Sequence, residues 1–198
     1  MNIGIIGAGN IGTALATLFT RTGHSVILAN SRGPDSLRDK AQALGKNARA
    51  GTREEAARAD LLVLSVSWAA LEEATAGLPD LKGRIVIDTM NPVLQPGYRL
   101  AELDGLASSQ VVAKHLPGAR LVKIANTLPT ALLAAEPRTP NGARVLFMSG
   151  DDAAAKGEVK GLFEDIGFAV IDLGDLATGA RLQQFPGGPL PLLNLLKQ

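Results

Sequence analysis

Short apolar runs alternate along this chain with longer segments in which apolar residues recur every three or four positions. The short runs are typical of buried β-strands, and the longer segments have the spacing of helices that bury one face. We predict strands at residues 2–6, 25–29, 48–50, 61–65, 84–88, 121–124, 144–149 and 169–172. We predict helices at residues 10–22, 34–44, 68–76, 108–115 and 151–166, and a short helix that Thr52 caps.

Most of the predicted strands are apolar on both faces, which is typical of a parallel sheet covered by helices on each side. The expected fold class is therefore α/β: a Rossmann-type, doubly wound, mainly parallel sheet with helices on both faces. No repeat or linker divides the chain, so we predict one domain over residues 1–198. Residues 173–182 could form a further helix, and the apolar residues 190–196 are predicted to be a helix packed on the domain or across a dimer interface. Residues 173–198 would then be a short C-terminal helical tail that completes the substrate cleft.

The balance of residue types excludes several classes of function. Hydrophobic residues make up 46% of the chain and charged residues 20%, as in a soluble globular protein. The net charge of +1 gives no electrostatic drive toward nucleic acid or a membrane surface, and aromatic residues, at 4%, are too few for a base-stacking surface. The absence of cysteine excludes disulfides, thiol nucleophiles and thiolate metal sites, and it fits a reducing compartment.

The apolar N-terminus has only part of the pattern of a signal peptide. Residues 1–19 lack a positively charged start, and Asn10 and four glycines interrupt the apolar run, so a buried strand and a helix are the better interpretation. No apolar stretch reaches the roughly 18 residues that a membrane-spanning helix needs. We expect a cytoplasmic protein without membrane contact.

A glycine-rich turn between the first strand and the first helix carries the clearest chemical signal. Gly7 permits the tight turn, Gly9 lets the backbone approach a pyrophosphate, and Gly12 lets the helix pack close to the strand. The same spacing occurs in turns that bind nothing, but its place between a strand and a helix favours a dinucleotide site, with free amides facing the phosphates. The whole turn is Gly7-Ala8-Gly9-Asn10-Ile11-Gly12.

The end of the second predicted strand indicates which dinucleotide binds. Domains that bind NAD place Asp or Glu there to hold the ribose hydroxyls, whereas this chain has Asn30, Ser31 and Arg32. Arg32 can pair with the 2′-phosphate of NADP through two donors, and Ser31 adds a hydroxyl donor. The alternative is that Arg32 is only a solvated loop residue. The sequence therefore predicts an NADP-binding domain.

The ends of three later strands should line the nicotinamide pocket, because ligands in open α/β sheets lie at the carboxyl ends of the strands. Val66 and Trp68 could supply apolar walls, and Asn91 and Asn126 could hold a carboxamide or a substrate ring. Alternatively, Trp68 packs in the core and the asparagines cap helices. The predicted pocket residues are Ser65, Val66, Ser67, Trp68, Met90, Asn91 and Asn126.

No residue stands out as a catalytic acid or base, and no metal-ligand spacing is present. His24 falls in a turn and His115 near a helix end, where each is more typical of a surface or capping residue. Hydride transfer to a flavin-like ring mainly needs stacking and orientation, whereas a carbonyl or imine reductase usually needs a proton donor as well. The pattern therefore favours a flavin-like acceptor.

Taken together, these segments resemble the NADPH-dependent coenzyme F420 reductases, also called F420H2:NADP oxidoreductases. The resemblance covers nearly the whole chain. It rests on the motifs GAGNIG, NSR, LLVLSVSW, VIDTMNP and VKIANTLP, and the segments LFMSGDD and ARLQQFPGGPL are similar to the bacterial branch.

The resemblance implies reversible hydride transfer between the nicotinamide and the deazaflavin of coenzyme F420. It also implies that residues 8–11 contact the pyrophosphate, that Ser31 and Arg32 hold the 2′-phosphate, and that Val66 and Ser67 lie by the nicotinamide. The chain departs from the family at Asn126, where archaeal members tend to have histidine, and at residues 183–189, which replace a longer helical tail.

Both departures fall near the expected second-substrate pocket, so FAD or FMN is an alternative carrier. Two other functions also stay open. The chain could reduce a small carbonyl or imine substrate, with a homodimer supplying missing walls, or it could be a non-catalytic NADPH sensor.

Overall fold

The computed structural model describes residues 1–198 and contains one large central sheet. Its main strands are β1 (Asn2–Ile6), β2 (Ser25–Ala29), β3 (Ala48–Ala50), β4 (Leu61–Leu64), β5 (Ile85–Asp88), β6 (Arg120–Ile124), β7 (Gly142–Gly150) and β8 (Ala169–Asp172). They lie in the order β3-β2-β1-β4-β5-β6-β7-β8. Strands β1 to β6 are parallel, β7 is antiparallel to β6, and β8 is parallel to β7. The predicted mainly parallel sheet is confirmed, and the reversed direction of β7 is a feature that the sequence pattern did not predict.

Helices cover both faces of this sheet, as the doubly wound prediction requires. They are α1 (Asn10–Arg21), α2 (Arg38–Ala43), α3 (Arg53–Ala57), α4 (Leu71–Thr75), α5 (Ser108–His115), α6 (Thr130–Ala134), α7 (Ala153–Ile166) and α8 (Leu176–Leu182). None of them combines the length and the apolarity that crossing a bilayer requires.

Successive residues of the strands face opposite layers of the core. On β1, Ile3 and Ile5 join the cluster that packs against α1, α6 and α7, whereas Ile6 joins the cluster on the side of α3, α4, α5 and α8. Between them, Gly4 allows α3 to approach the sheet, because a Cβ there would lie 1.9 Å from the carbonyl oxygen of Ala56. The sheet is therefore buried on both faces, which explains why its strands are continuously apolar.

Several helices begin or end at capping residues inside the predicted segments. Thr52 and Glu55 form a capping box at the start of α3, as the sequence predicts. Asp152 and Asp175 accept hydrogen bonds from the first turns of α7 and α8, so these helices begin at Ala153 and Leu176. The predicted helix at 34–44 is a 3₁₀ turn, Pro34–Leu37, followed by α2.

The prediction of a helix at residues 190–196 is wrong. The segment is irregular and ends in a short strand, Leu196–Lys197, which pairs antiparallel with the start of β7. Pro191 lies inside the run, where it removes a backbone donor and disfavours helical geometry in the residue before it. The start of β7 provides the backbone partner instead, because the amide of Val145 donates to the carbonyl oxygen of Leu195 over 2.9 Å. Side chains of several tail leucines stay exposed, and the predicted contact with a second copy stays a prediction.

A buried ion pair joins the ends of β5 and β6, where the parallel register places Asp88 beside Lys123. Both side chains are fully buried, with 3.1 Å between Lys123 Nζ and Asp88 Oδ2. Lys123 also donates to the carbonyl oxygen of Met90 over 2.7 Å, and the Ser109 hydroxyl donates to Asp88 over 2.6 Å. The amide of Met90 donates to the other carboxylate oxygen over 2.8 Å. This network fixes the first residues of the loop after β5.

Replacing Lys123 alone should destabilise the fold strongly, because it leaves the Asp88 carboxylate buried without its cation. We expect Lys123→Met to lower the free energy of unfolding, measured in urea, by about 3–5 kcal/mol. The double variant Asp88→Asn/Lys123→Met should recover most of that loss. Equal losses in the single and double variants would show that packing, rather than the unpaired charge, sets the cost.

Candidate functional site

The turn between β1 and α1 is closed at two of its glycines and open at the third. Gly7 has a φ of +108°, and a Cβ there would lie 2.1 Å from the carbonyl oxygen of Ser65. A Cβ on Gly12 would lie 1.9 Å from the carbonyl oxygen of Gly7, so the first turn of α1 can pack on the strand end only without a side chain. At Gly9 no atom lies within 4 Å of where a Cβ would be. The open space at Gly9 is therefore available to a ligand.

The backbone amides of residues 8–12 donate to no acceptor in the protein. They lie at the start of α1, a helix of 12 residues with no acidic side chain in its first turn and no side-chain cap. Free amides and the positive end of a helix dipole together attract an anion, and phosphate oxygens satisfy several such donors at once. The turn thus has the geometry that its sequence predicts for a pyrophosphate site.

A cleft of about 260 Å³ opens in front of this turn, between the ends of β2 and β4. It contains many of the residues that the sequence predicts: Gly7, Gly9, Asn30, Ser31, Ser65, Val66 and Ser67. Ala8, Asn10, Ile11 and Gly12 belong to the adjoining turn. The structure therefore brings the turn and the ends of two neighbouring strands to one place.

The loop after β2 presents Arg32 without a carboxylate partner. Asn30 accepts a hydrogen bond from the amide of Arg32 over 3.0 Å and donates to the hydroxyl of Ser36 over 2.9 Å, which fixes the turn. The side chain of Arg32 is exposed and makes no ion pair, because the nearby carboxylate of Asp35 is paired with Arg38. The guanidinium of Arg32 is therefore free to bind a phosphate group, although Arg32 itself does not line the cleft.

Two cations at this site were not predicted from the sequence. Lys40, on α2, donates from Nζ to the carbonyl oxygen of Ala8 over 2.8 Å and to the Thr13 hydroxyl over 3.3 Å. Arg53, on α3, lines the cleft and donates to the carbonyl oxygen of Glu73. Lys40 places a second positive charge against the glycine turn. Its helix is evident from the sequence, but the contact with a turn about thirty residues earlier depends on tertiary packing.

Met90, Asn91 and Asn126 do not line the cleft as predicted. Met90 is only 3% exposed and packs in the apolar core. The Asn126 amide nitrogen donates to Asn91 Oδ1 over 2.9 Å, and the Asn91 amide nitrogen donates to the carbonyl oxygen of Asn126 over 2.9 Å. Nor do these asparagines cap helices. They join the loops that follow β5 and β6, because the polar groups buried there need partners.

Gln183 extends this pair of asparagines into the C-terminal segment. Its side chain is fully buried and donates to Asn126 Oδ1 over 3.1 Å and to the carbonyl oxygen of Phe147 over 2.9 Å. It accepts from the Ser149 hydroxyl over 2.7 Å. The two places where the chain departs from the F420 reductase pattern, Asn126 and residues 183–189, are therefore parts of one hydrogen-bonded unit.

Trp68 takes a position between its two predicted roles. It begins the 3₁₀ turn Trp68–Ala70 after β4 and is partly buried against the apolar cluster on the side of α4. Its neighbours Val66 and Ser67 line the cleft, but Trp68 itself does not. Trp68 therefore packs on the apolar core next to the cleft and does not line the cleft.

Comparisons with known proteins identify the family. The family described as NADP oxidoreductase, coenzyme F420-dependent, matches residues 2–92. The crystal structure of a hypothetical protein from Sinorhizobium meliloti is 42% identical, with 100% of this chain and 97% of that chain covered and a TM-score of 0.93. The chain belongs to the coenzyme F420-dependent NADP oxidoreductase family.

Two further proteins are similar to nearly the whole of this chain. A crystal structure from Arthrobacter sp. FB24, provisionally assigned as an F420-dependent NADP reductase, is 26% identical, with all of both chains covered and a TM-score of 0.77. Metalloreductase STEAP3 of Rattus norvegicus is 27% identical over 190 residues, which is 96% of this chain. The chain spans 37% of the length of STEAP3, so it corresponds to one part of that relative.

Within this family member, the histidines lie away from the cleft. His24 precedes β2, at the opposite end of this strand from the cleft. Burial lowers the pKa of His24, and the Met1 ammonium group acts in the same direction. His115 ends α5 and borders a separate cavity. The titratable side chains that line the cleft are Arg53 and Glu73. The other polar side chains of the lining are Asn30 and the hydroxyl-bearing Ser31, Ser65 and Ser67.

Replacing Arg32 should weaken NADPH binding selectively. We expect Arg32→Ala to raise the Kd for NADPH about 10- to 100-fold, because hydrogen bonds to a charged group contribute about 1.5–3 kcal/mol. The Kd for NADH, which lacks the 2′-phosphate, should stay within about twofold. Arg38→Ala is the matched control, since that arginine is exposed at the start of α2 but paired with Asp35. Equal NADPH affinities in wild type and Arg32→Ala, measured by titration, would refute the assignment.

Proposed function

We propose that this chain binds NADPH in the cleft and transfers a hydride between its nicotinamide and a planar ring carrier, coenzyme F420 or a flavin. The observation that carries the proposal is the combination of five free amides at residues 8–12 with the unpaired guanidinium of Arg32. Membership of an NADP oxidoreductase family supports the same cofactor.

The glycine turn and Arg32 would bind the phosphate groups of NADPH, and an uncharged wall would lie beside its nicotinamide. The amides of the glycine turn face the pyrophosphate, and Arg32 and Ser31 face the 2′-phosphate. Lys40 keeps its charge against the turn through Ala8 and adds to the positive potential there. Val66 and Ser67 line the cleft on the side of β4, where they would restrict the position of the nicotinamide.

The reaction needs little acid–base chemistry from the protein. When bound, NADPH supplies the hydride from its nicotinamide ring. A planar ring carrier takes up this hydride and a proton from solvent, whereas carbonyl reduction usually requires a positioned proton donor. The cleft offers orientation and an apolar wall at Val66, with no histidine and no lysine in its lining and Glu73 as its one carboxyl group. Its composition therefore favours a ring carrier over a small carbonyl substrate.

A panel of acceptors tests this proposal. The purified protein is mixed with NADPH, and NADPH absorbance is followed while F420, FMN, FAD or small ketones are added in turn. We expect turnover with F420 or a flavin and none with the ketones. Turnover with ketones alone would show a carbonyl reductase, and tight NADPH binding without any turnover would show a sensor; either result overturns the proposal.

A matched pair of variants at Gly9 controls for the site of turnover. The space beside Gly9 is empty and its φ of −74° suits any residue, so Gly9→Ala and Gly9→Asp should both fold. A carboxylate at this position would repel the pyrophosphate. We expect Gly9→Asp to lose NADPH binding and turnover at an unchanged Tm, while Gly9→Ala keeps a substantial part of both.

A further inference from the structure

A short hairpin stands above the sheet where the chain leaves β5. Its two strands are Val93–Leu94 and Arg99–Leu100, and its turn contains Gly97 and Tyr98. Both turn residues have positive φ, +92° at Gly97 and +51° at Tyr98. Tyr98 is the only tyrosine of the chain and is 64% exposed.

Neither burial nor backbone geometry accounts for a tyrosine at this position. Turns with two residues of positive φ favour asparagine, aspartate or glycine, and a bulky side chain in the left-handed region is unfavourable. An exposed aromatic ring gains little from the hydrophobic effect. Unfavourable conformations of this kind are concentrated at ligand sites, where the side chain has a function that offsets them.

Phe185 provides a second ring facing this hairpin. The centroids of the Tyr98 and Phe185 rings are 6.4 Å apart and their planes are 72° from each other, an edge-to-face contact. The amide of Phe185 donates to Asn91 Oδ1 over 3.0 Å. Asn91 is in turn hydrogen-bonded to Asn126, which donates to the carbonyl oxygen of Gln183. The backbone of Phe185 is therefore fixed, although its side chain is only half-buried.

The two rings lie beyond the carboxyl ends of the strands, on one side of the glycine turn. The glycine turn follows β1, and β2 and β3 lie on one flank of it. The ends of β4, β5 and β6 lie on the other flank, and the hairpin and Phe185 are attached to β5 and β6. The first strand of the hairpin also packs against the turn Trp68–Ala70, next to the wall formed by Val66 and Ser67.

We propose that the exposed ring of Tyr98, in edge-to-face contact with Phe185, is a platform on which the planar ring of the hydride acceptor stacks. This proposal rests on the proposed function, since it assigns the acceptor side of the same cleft. Aromatic faces bind flat ring systems by stacking, with little dependence on hydrogen-bond pattern. Such a platform selects for deazaflavin or flavin rings and against small aliphatic carbonyl compounds.

Ring binding can be measured without turnover. Riboflavin, FMN and oxidised F420 are titrated into the full-length protein saturated with NADP⁺, and quenching of the fluorescence of Trp68, the only tryptophan, reports binding. We expect Tyr98→Gly to weaken binding of all three rings at least about fivefold, in keeping with the loss of one stacking contact. Tyr98→Phe should stay within about twofold of wild type, and so should Leu100→Ala, which changes an exposed apolar residue of the same hairpin.

A stability measurement separates this role from a structural one. Glycine suits the positive φ at position 98, so Tyr98→Gly should keep or raise the Tm while ring binding falls. Ring binding that is unchanged in Tyr98→Gly, or lost equally in Leu100→Ala, would overturn the platform.

NADPH binding and acceptor turnover test the proposed function separately from ring binding. If NADPH fails to bind wild type, or if no acceptor turns over, the proposed function fails. The platform still stands in that case if riboflavin binding depends on the ring at position 98, and it falls if that dependence is absent.

Discussion

The contact between Gly12 and the carbonyl oxygen of Gly7 is the constraint on which the cofactor site depends. With only 1.9 Å between that oxygen and the position of a Cβ, any side chain at residue 12 would push α1 away from β1. The turn that carries the free amides of residues 8–12 would then be displaced from the end of β1. Because Gly7 and Gly12 carry no side chain, the turn can fold tightly and leave open space beside the free amides near Gly9.

Charge is distributed unevenly around that space. Arg32 lies on the loop after β2, and Lys40 is kept against the glycine turn by Ala8 and Thr13. On the side of β4 the cleft is lined by Val66, Ser67 and Glu73, and the ion pair of Asp88 with Lys123 is fully buried beneath the loop after β5. The buried pair positions backbone rather than substrate. This separation suits a reaction in which phosphate binding holds the cofactor and stacking positions the rings.

The parts of the site that local sequence determines could be predicted, and those that depend on tertiary contacts could not. The glycine turn and Arg32 are close to a strand end, so the roles predicted for them rest on spacing alone. Lys40 meets the turn only after α2 has packed on it. Asn126 has the right position for a pocket residue, but Gln183, 57 residues later, satisfies its side chain instead.

The same distinction explains the errors in the fold. Periodicity placed every main strand to within about two residues at either end, because most of them are buried on both faces. It gave no direction for β7, which depends on how residues 125–141 return to the sheet. For the tail, the apolar composition of residues 190–196 outweighed Pro191, and the strand that forms there depends on a partner about fifty residues away.

Backbone amide NMR tests the central claim, that the free amides of the glycine turn bind the cofactor phosphates and that Arg32 reads the 2′-phosphate. In titrations of the ¹⁵N-labelled protein, NADP⁺ and NAD⁺ should both shift the amide signals of residues 8–12. Only NADP⁺ should shift the Nε signal of Arg32. Unchanged signals at residues 8–12 with saturating NADP⁺, or identical shifts of Arg32 with both dinucleotides, would contradict the account.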